Sequence, residues 1–322
     1  MRYFVTGGAG FIGSNYVEYL FKHVNQLSSV TIYDNFTYAA NAKNYLEFSS
    51  DPRLTVIRGD ICDAIELENA MAGHEFVVHF AAESHVDRSI DDASDFVQTN
   101  VLGTFNVLEA SRKAGIKTMI HVSTDEVYGS LPEGSADETY PLGPNSPYAA
   151  SKAASDLLAR SYFVTHGLDV RITRCCNNYG KNQFPEKVIP VFINKLISGE
   201  ELPIYGDGKN IREWIHVSDH ARGIQTALEK GEPGEIYNIG SGSHLSNNDL
   251  AAAILAIMGL EDNMKSYVSD RPGHDSRYSV DSSKVKALGF ECEVDFKDGL
   301  SKTIDWYIAS QDWWNMENEV KQ

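Results

Sequence analysis

"VTGGAGFIGS", residues 5–14, is the stretch that decides the fold. Gly7, Gly10 and Gly13 recur every third position, and Gly8 to Gly13 also fits G-x-G-x-x-G. A continuous apolar run, "YFVTG" (3–7), leads in, and "SNYVEYLFKHV" (14–24) follows with apolar residues at helical spacing. A glycine turn between a strand and a helix lets the backbone approach a pyrophosphate, which then sits on the helix N-terminus. By themselves the glycines would equally suit a structural turn. Their context is more specific, because Asp34 closes the next apolar run, 21 residues past Gly13. A carboxylate there can accept both ribose hydroxyls and repels a 2′-phosphate, so NAD is favoured over NADP.

Outward from this turn, short apolar runs alternate with helix-period stretches. The runs are "YFVTG", "VTIYD" (30–34), "LTVIRGD" (54–60), "FVVHFAA" (76–82), "TMIHVST" (118–124), "DVRITR" (169–174) and "IYNIG" (236–240). They are continuous rather than alternating, as in strands buried on both faces. Helices are expected over 14–24, 99–115 and 148–165. The fold class is α/β, a doubly wound parallel sheet (Rossmann-like) with a smaller α/β substrate lobe. The strict pattern ends near residue 176. "NNYGKNQFPEK" (177–187) reads as loop, 188–200, 247–260 and 299–314 as helices, and 202–217 as a short hairpin around Gly-Asp-Gly. The expected division is 1–176 plus about 212–243 for cofactor binding, and 177–211 plus about 244–322 for the second lobe. "IYNIG" returns the chain to the main sheet.

Composition narrows the ligands. The chain has 322 residues, 42% hydrophobic and 23% charged, enough for a sizeable core. Its formal charge is −17 with no basic block, which argues against nucleic acid and anionic membrane as partners. No run approaches ~18 apolar residues, so no membrane span is expected. No secretory leader is expected, since "RYFVTGGAG" passes straight from an apolar run into the glycine turn. Cys62, Cys175, Cys176 and Cys292 have no C-x-x-C spacing. This suits a reduced, cytoplasmic chain without disulfides or a metal centre.

Strand ends carry the remaining candidates, since ligands bind at the carboxyl ends of such sheets. "GDI" (59–61) places Asp60 where it can meet adenine, and "AAES" (81–84) lets a cofactor lie close. In "SPYAASKAASDLLARS" (146–161), Tyr148 and Lys152 share one helix face. A phenol with a pKa of about 10 is a poor base. A neighbouring ammonium favours the phenolate, which can take a proton from an alcohol as hydride leaves its carbon. Thr124 can hold the same hydroxyl. "HVSTDEVYG" (121–129) adds two adjacent carboxylates, Asp125 and Glu126. In an extended strand they would point to opposite faces. They can cooperate only if the backbone leaves β geometry at 124–127, as we expect here.

"TGGAGFIG", Asp34, "STDEVYG" and "YAASK" together resemble the extended short-chain dehydrogenase/reductase family over essentially the whole chain. Within it, "AAESHVDRSI" (81–90), "NNYG" (177–180), "FPEK" (184–187), "LPIYGDG" (202–208), "IREWI" (211–215) and "DRPGHDSRY" (270–278) are similar to the dTDP-glucose 4,6-dehydratases. That resemblance implies a lyase with bound NAD acting on dTDP-glucose, and a homodimer joined by a four-helix bundle. It implies Asp125 as the acid toward the C6 oxygen and Glu126 as the base at C5, beside Thr124, Tyr148 and Lys152. Cofactor contacts are implied for Gly7, Gly10, Phe11, Ile12, Gly13, Asp34, Asn35, Thr37, Asp60, Ile61, Ala81, Ala82, Ser84, Thr99, Tyr148, Lys152 and Asn178. Substrate contacts are implied for Ser84, Thr124, Asn177, Lys187, Val188, Pro203, Tyr205, Arg212, Asn247, Arg271 and His274, with Arg212 and Arg271 on the diphosphate. Asn247 is also read as a helix N-cap. Lys181 and Asn182 depart from the family pattern, where a Pro-Tyr or similar pair is frequent. A 4-epimerase would share Tyr148 and Lys152 but has no need of the Asp-Glu pair. A nucleotide-sugar decarboxylase would set a substrate carboxylate against it. A non-catalytic NAD-binding protein would need neither set.

Overall fold

The computed structural model describes residues 1–314. Residues 315–322, counted above with the second lobe, lie outside the described residues. The strands, in chain order, are β1 (Arg2–Thr6), β2 (Ser29–Asp34), β3 (Leu54–Arg58), β4 (Phe76–His79), β5 (Thr118–Thr124), β6 (Val170–Cys175), β7 (Asn177–Tyr179), β8 (Leu202–Tyr205), β9 (Ile211–His216), β10 (Ile236–Ile239), β11 (His244–Ser246) and β12 (Lys265–Val268). Seven of them form one sheet in the order β10-β6-β5-β4-β1-β2-β3, with every pairing parallel. The doubly wound sheet expected from the sequence is present, and "IYNI" joins its edge beside β6.

Burial explains the continuous apolar runs. Central β5 and β6 are buried along their whole length, whereas edge strand β3 shows exposed positions. Alternate residues divide between two cores. Tyr3 and Val5 pack with Tyr16, Leu20, Ile224 and Leu228 from the Phe11–His23 and Val217–Lys230 helices. Phe4 packs on the other face with Leu67, Val107 and Tyr162 from the Ala64–Met71, Thr104–Ala114 and Pro147–His166 helices. The strand order reverses at β1 and β4, opening a crevice at their carboxyl ends.

The helix expected over 99–115 is not uniform. A π-helical stretch, Val97–Gly103, precedes the regular helix Thr104–Ala114. The wider turn lets Asn100 point inward. Its amide donates to the Glu83 carbonyl at 3.0 Å and to Ser151 Oγ at 2.9 Å, and its oxygen accepts from the Glu83 N–H at 2.8 Å. Gly103 rests against Ile61, where an added Cβ would come within 2.5 Å of Cδ1. Such π segments are frequent at functional sites.

The second lobe has its own core, in which Ile189, Phe192, Leu250, Ile254, Leu300 and Tyr307 meet. These come from the helices Val188–Ile197, Asn247–Met258 and Phe296–Ala309. The hairpin expected over 202–217 is absent. A turn does follow β8, but β8 pairs in parallel with β12, while β9 pairs with β7 and β11. The turn thus passes the chain from one small sheet to another. The stretch 177–187, expected as loop throughout, begins with β7, a three-residue strand on β9.

Candidate active site

A cleft of about 490 Å³ starts at the β1/β4 crevice and runs into the second lobe. Every site residue singled out from the sequence stands on its wall. At one end Gly7 adopts φ +70°, and a Cβ there would lie 2.6 Å from the Ala81 nitrogen. A Cβ on Gly13 would lie 2.2 Å from the Gly7 carbonyl oxygen. Both positions need glycine because backbone meets backbone. Gly10 is the N-cap of the first helix and supplies no side-chain cap. Among the described residues no side chain caps the first-turn N–H groups at Phe11 and Ile12, which can meet an anion.

Asp34 closes the same end. Its Oδ2 accepts from the Ala9 N–H at 2.9 Å and its Oδ1 from the Phe36 N–H at 2.8 Å. Each oxygen keeps a further lone pair for a hydroxyl. Burial pushes the carboxyl up, and the two N–H groups oppose that rise. Asp60 accepts from the Cys62 N–H at 2.8 Å and from Asn35 Nδ2 at 3.0 Å. Asn35, Thr37, Ile61, Ala81, Ala82 and Thr99 complete this wall. Phosphate-facing amides, a carboxylate for a diol and close-approach glycines fit a dinucleotide. Asn178 lines the cleft too, but its amide is committed to the Cys176 carbonyl at 3.0 Å and to His220 at 2.9 Å.

The middle of the cleft holds the acids. β5 ends at Thr124 and the chain turns into a 3₁₀ turn, Asp125–Tyr128, with Thr124 as N-cap. This is the departure from β geometry expected at 124–127, and it brings Asp125 and Glu126 onto one cleft wall with Thr124, Tyr148 and Lys152. Thr124 Oγ1 accepts from the Glu126 N–H at 3.2 Å and donates to Asp125 Oδ1 at 3.3 Å. Among the described residues nothing hydrogen-bonds the buried Asp125 Oδ2. Burial pushes the Asp125 carboxyl well above its ordinary range, and Glu126 and Glu213 add to the rise. Burial also raises Glu126, but Lys187, Arg212 and Arg271 pull it back. The two acids are thus unequal, Asp125 holding its proton more firmly.

The tyrosine–lysine pair differs from expectation in one respect. Burial drives the Tyr148 phenol well above its usual value, with Glu126 and Cys175 adding to it and the Thr124 hydroxyl opposing. The largest influences on it do not include Lys152. That ammonium donates to the Val122 carbonyl at 2.8 Å. Burial lowers it to about 8, against the pull of Asp156.

The far end is cationic. Arg212 is buried, donates to the carbonyls of Ile211 (2.8 Å) and Asp275 (2.9 Å), and stacks 4.2 Å from the Tyr278 ring centroid. Arg271 pairs with Asp87 Oδ1 at 2.9 Å. Lys187 donates to the Ser84 carbonyl at 2.6 Å. His274 pairs with Asp270 at 2.6 Å. Asn177 keeps a buried Oδ1 with no partner among the described residues. Asn247 is not the helix cap. Ser246 caps the helix in a box with Asp249, leaving Asn247 in the first turn beside Val188, Pro203 and Tyr205 on the wall.

Sequence reasoning missed the supports. Asn100 fixes Glu83, as described. Asp87 occupies Arg271. Behind the 3₁₀ turn, Asp156 holds Arg174 at 2.9 Å, Arg174 donates to the Tyr128 hydroxyl at 2.9 Å, and Tyr128 donates to Asn238 at 2.7 Å. One signal was available: Asp156 follows Lys152 by four residues, one helical turn further along the same face.

Strand order, glycine turn and the Thr–Tyr–Lys set define an extended short-chain dehydrogenase/reductase. The sequence matches the family model for GDP-mannose 4,6 dehydratase over residues 4–303, and the chain belongs to the dTDP-glucose 4,6-dehydratase family. It is 50% identical over 319 residues to a dTDP-glucose 4,6-dehydratase of Actinoplanes sp., covering 98% of this chain and 100% of the relative. It is 53% identical over 312 residues to the enzyme of that name from Streptomyces griseus, covering 96% and 95%. The crystal structure of DesIV, the Streptomyces venezuelae dTDP-glucose 4,6-dehydratase with NAD and dTDP bound, matches with a TM-score of 0.96 at 52% identity, covering 98% of this chain and 99% of that one.

Proposed function

We propose that this chain is a lyase that converts dTDP-glucose to dTDP-4-keto-6-deoxyglucose with bound NAD. The observation that carries this reading is the pair of unequal carboxyl groups on one wall with Thr124, Tyr148 and Lys152. Bound NAD would supply the hydride acceptor for C4 of the hexose and the hydride donor for C6, and its positive charge would favour the Tyr148 phenolate over the phenol that burial alone keeps protonated. Tyr148 takes the C4 hydroxyl proton, and Thr124 holds the same oxygen. The 4-ketone acidifies the hydrogen on C5. Glu126, held lower by three cations, removes it. Asp125, which keeps its proton, gives it to the departing C6 hydroxyl, and water leaves. A proton returned at C5 completes the product.

The far end suits the rest of the substrate. Arg212 and Arg271 bind the diphosphate, with Asp87 giving up Arg271 as the anion arrives. Lys187, Val188, Pro203 and Tyr205 meet the base, and Ser84 and Asn177 meet the sugar. In this scheme residues 1–176 with about 212–243 hold the cofactor, and 177–211 with about 244 onward hold the nucleotide sugar. We also infer a homodimer through a four-helix bundle. Exposed Leu102 and Phe105, and exposed Leu157 and Val164, support it, each pair on one helix face. Four free thiols suit the reducing cytoplasm.

The test is incubation with dTDP-glucose in D₂O. A 4-keto-6-deoxy product with deuterium at C5 is expected. A product inverted at C4 without loss of water, or no turnover, would refute the assignment.

A further inference from the structure

We propose that residues 180–187 form a strap that retains the dinucleotide through the catalytic cycle, and that Lys181 and Asn182 are the positioning residues that tie it down. The inference rests on reading the cleft as an NAD site. Gln183, Phe184, Glu186 and Lys187 line the cleft that also holds Gly7 and Gly10. Lys181 and Asn182 are not on that wall. They reach to the helix whose N-terminus faces the phosphates. Lys181 Nζ lies 2.5 Å from Glu18 Oε2, Asn15 Nδ2 donates to the Lys181 carbonyl at 3.2 Å, and Asn182 Nδ2 donates to Ser14 Oγ at 3.4 Å. Asn182 sits at φ +69°, a left-handed conformation that asparagine tolerates better than most residues. It is buried although polar, so its place is specified.

Other ties secure the strap along its length. The Tyr307 hydroxyl donates to the Gln183 carbonyl. Tyr38, in the loop that follows β2, donates to Glu186 Oε1 at 3.2 Å and meets the Phe184 ring edge-on at 5.3 Å. Arg88 lies 3.7 Å over that Tyr38 ring. Lys187 crosses to the Ser84 carbonyl. The chemistry gives the strap a purpose. Hydride taken from C4 must return to C6 of the same molecule, so a cofactor lost in mid-cycle strands a ketone.

The experiment measures exchange of isotope-labelled NAD from the loaded, full-length protein into excess unlabelled NAD. Lys181→Ala should speed release roughly two- to fivefold, the range a partly exposed ion pair supports. The double variant Lys181→Ala/Asn182→Gly, which keeps the backbone conformation accessible, should exceed either single change. Lys181→Arg should release at the wild-type rate. Added salt should speed release from the wild type and leave Lys181→Ala little changed. The cofactor-stripped variants should keep the cooperative unfolding of the stripped wild type, with melting temperatures lowered by no more than loss of the ion pair and hydrogen bond accounts for. An unchanged rate in the double variant, or a Lys181→Arg protein as leaky as Lys181→Ala, would overturn the proposal. Retained NAD without dehydration of dTDP-glucose would sink the enzymatic assignment and leave the strap standing. Failure to bind NAD would sink both.

Discussion

The place where β5 ends buries the Asp125 carboxyl and pushes it well above its ordinary range. The side chain is buried, one oxygen lacks a hydrogen-bond partner among the described residues, and Glu126 stands beside it. A protonated acid at neutral pH is what a leaving hydroxyl requires. Asp125→Asn should therefore keep C4 oxidation while slowing elimination by roughly a hundredfold or more, the usual contribution of a positioned acid. Rapid quenching should then reveal the 4-keto hexose before water loss. Loss of oxidation with elimination intact would reverse the role assignment. The same raised pKa has a stability consequence. The folded state binds the Asp125 proton more tightly than the unfolded chain, so this group's contribution is complete below the unfolded carboxyl pKa and is lost as pH rises through the folded value. Asp125→Asn should thus raise the melting temperature at pH 7 to 8, by on the order of 1 kcal/mol of stability, and the gain should vanish near pH 3. A melting curve showing no gain at neutral pH would mean that Asp125 is not held protonated. At this scale the sequence was informative. Adjacent acids after a Ser-Thr strand end are visible in a string of letters, and so is their conflict with β alternation. The cations that make them unequal were not visible as a group, because Lys187, Arg212 and Arg271 arrive from distant parts of the chain.

The element that resolves the conflict is the four-residue 3₁₀ turn Asp125–Tyr128. Its aim depends on what lies behind it. Tyr128 joins the turn to Arg174 on β6 and to Asn238 on β10, and Asp156 anchors Arg174 from the Pro147–His166 helix. The helix that carries Tyr148 and Lys152 is thereby tied to the turn that carries the acids. Tyr128→Phe would leave a buried guanidinium and a buried amide each short of one partner, costing about 1–3 kcal/mol. Stability measured in urea should fall by that amount. Turnover should fall by up to roughly a hundredfold through misplacement of the acids, with KM little changed. Unchanged turnover alongside the stability loss would show that the network supports the fold and not the aim of the acids. No periodic pattern announces such a network, since its members lie 18 to 110 residues apart. The hairpin expectation failed for a related reason. Gly-Asp-Gly correctly marks a turn, but a turn does not choose partners, and β8 finds its partner in β12, some sixty residues later.

Across the whole molecule, reversal of strand order at β1 and β4 turns scattered motifs into one cleft. Continuous apolar strands and a glycine turn between strand and helix were enough to read the sheet, because burial on both faces writes itself into every residue of β5 and β6. The small sheets of the second lobe left a fainter trace. Strands of three or four residues carry too little pattern to separate from loop. The surface adds one more feature. The Pro147–His166 helix buries one side against the sheet yet shows Leu157 at 59% and Val164 at 62% exposure, two turns apart on one face. The neighbouring helical stretch shows Leu102 and Phe105. A second copy of the same face would cover all four, with two helices from each chain, in a self-complementary contact. The double substitution Leu157→Glu/Val164→Glu places charges at the centre of that contact while touching no buried position. Light scattering should report twice the 35.7 kDa chain mass for the wild type and the single-chain mass for the variant, with the circular dichroism of the fold retained. A variant that remains double mass would show that another face joins the chains, and a wild type already at single mass would show that these helices face solvent in a lone chain.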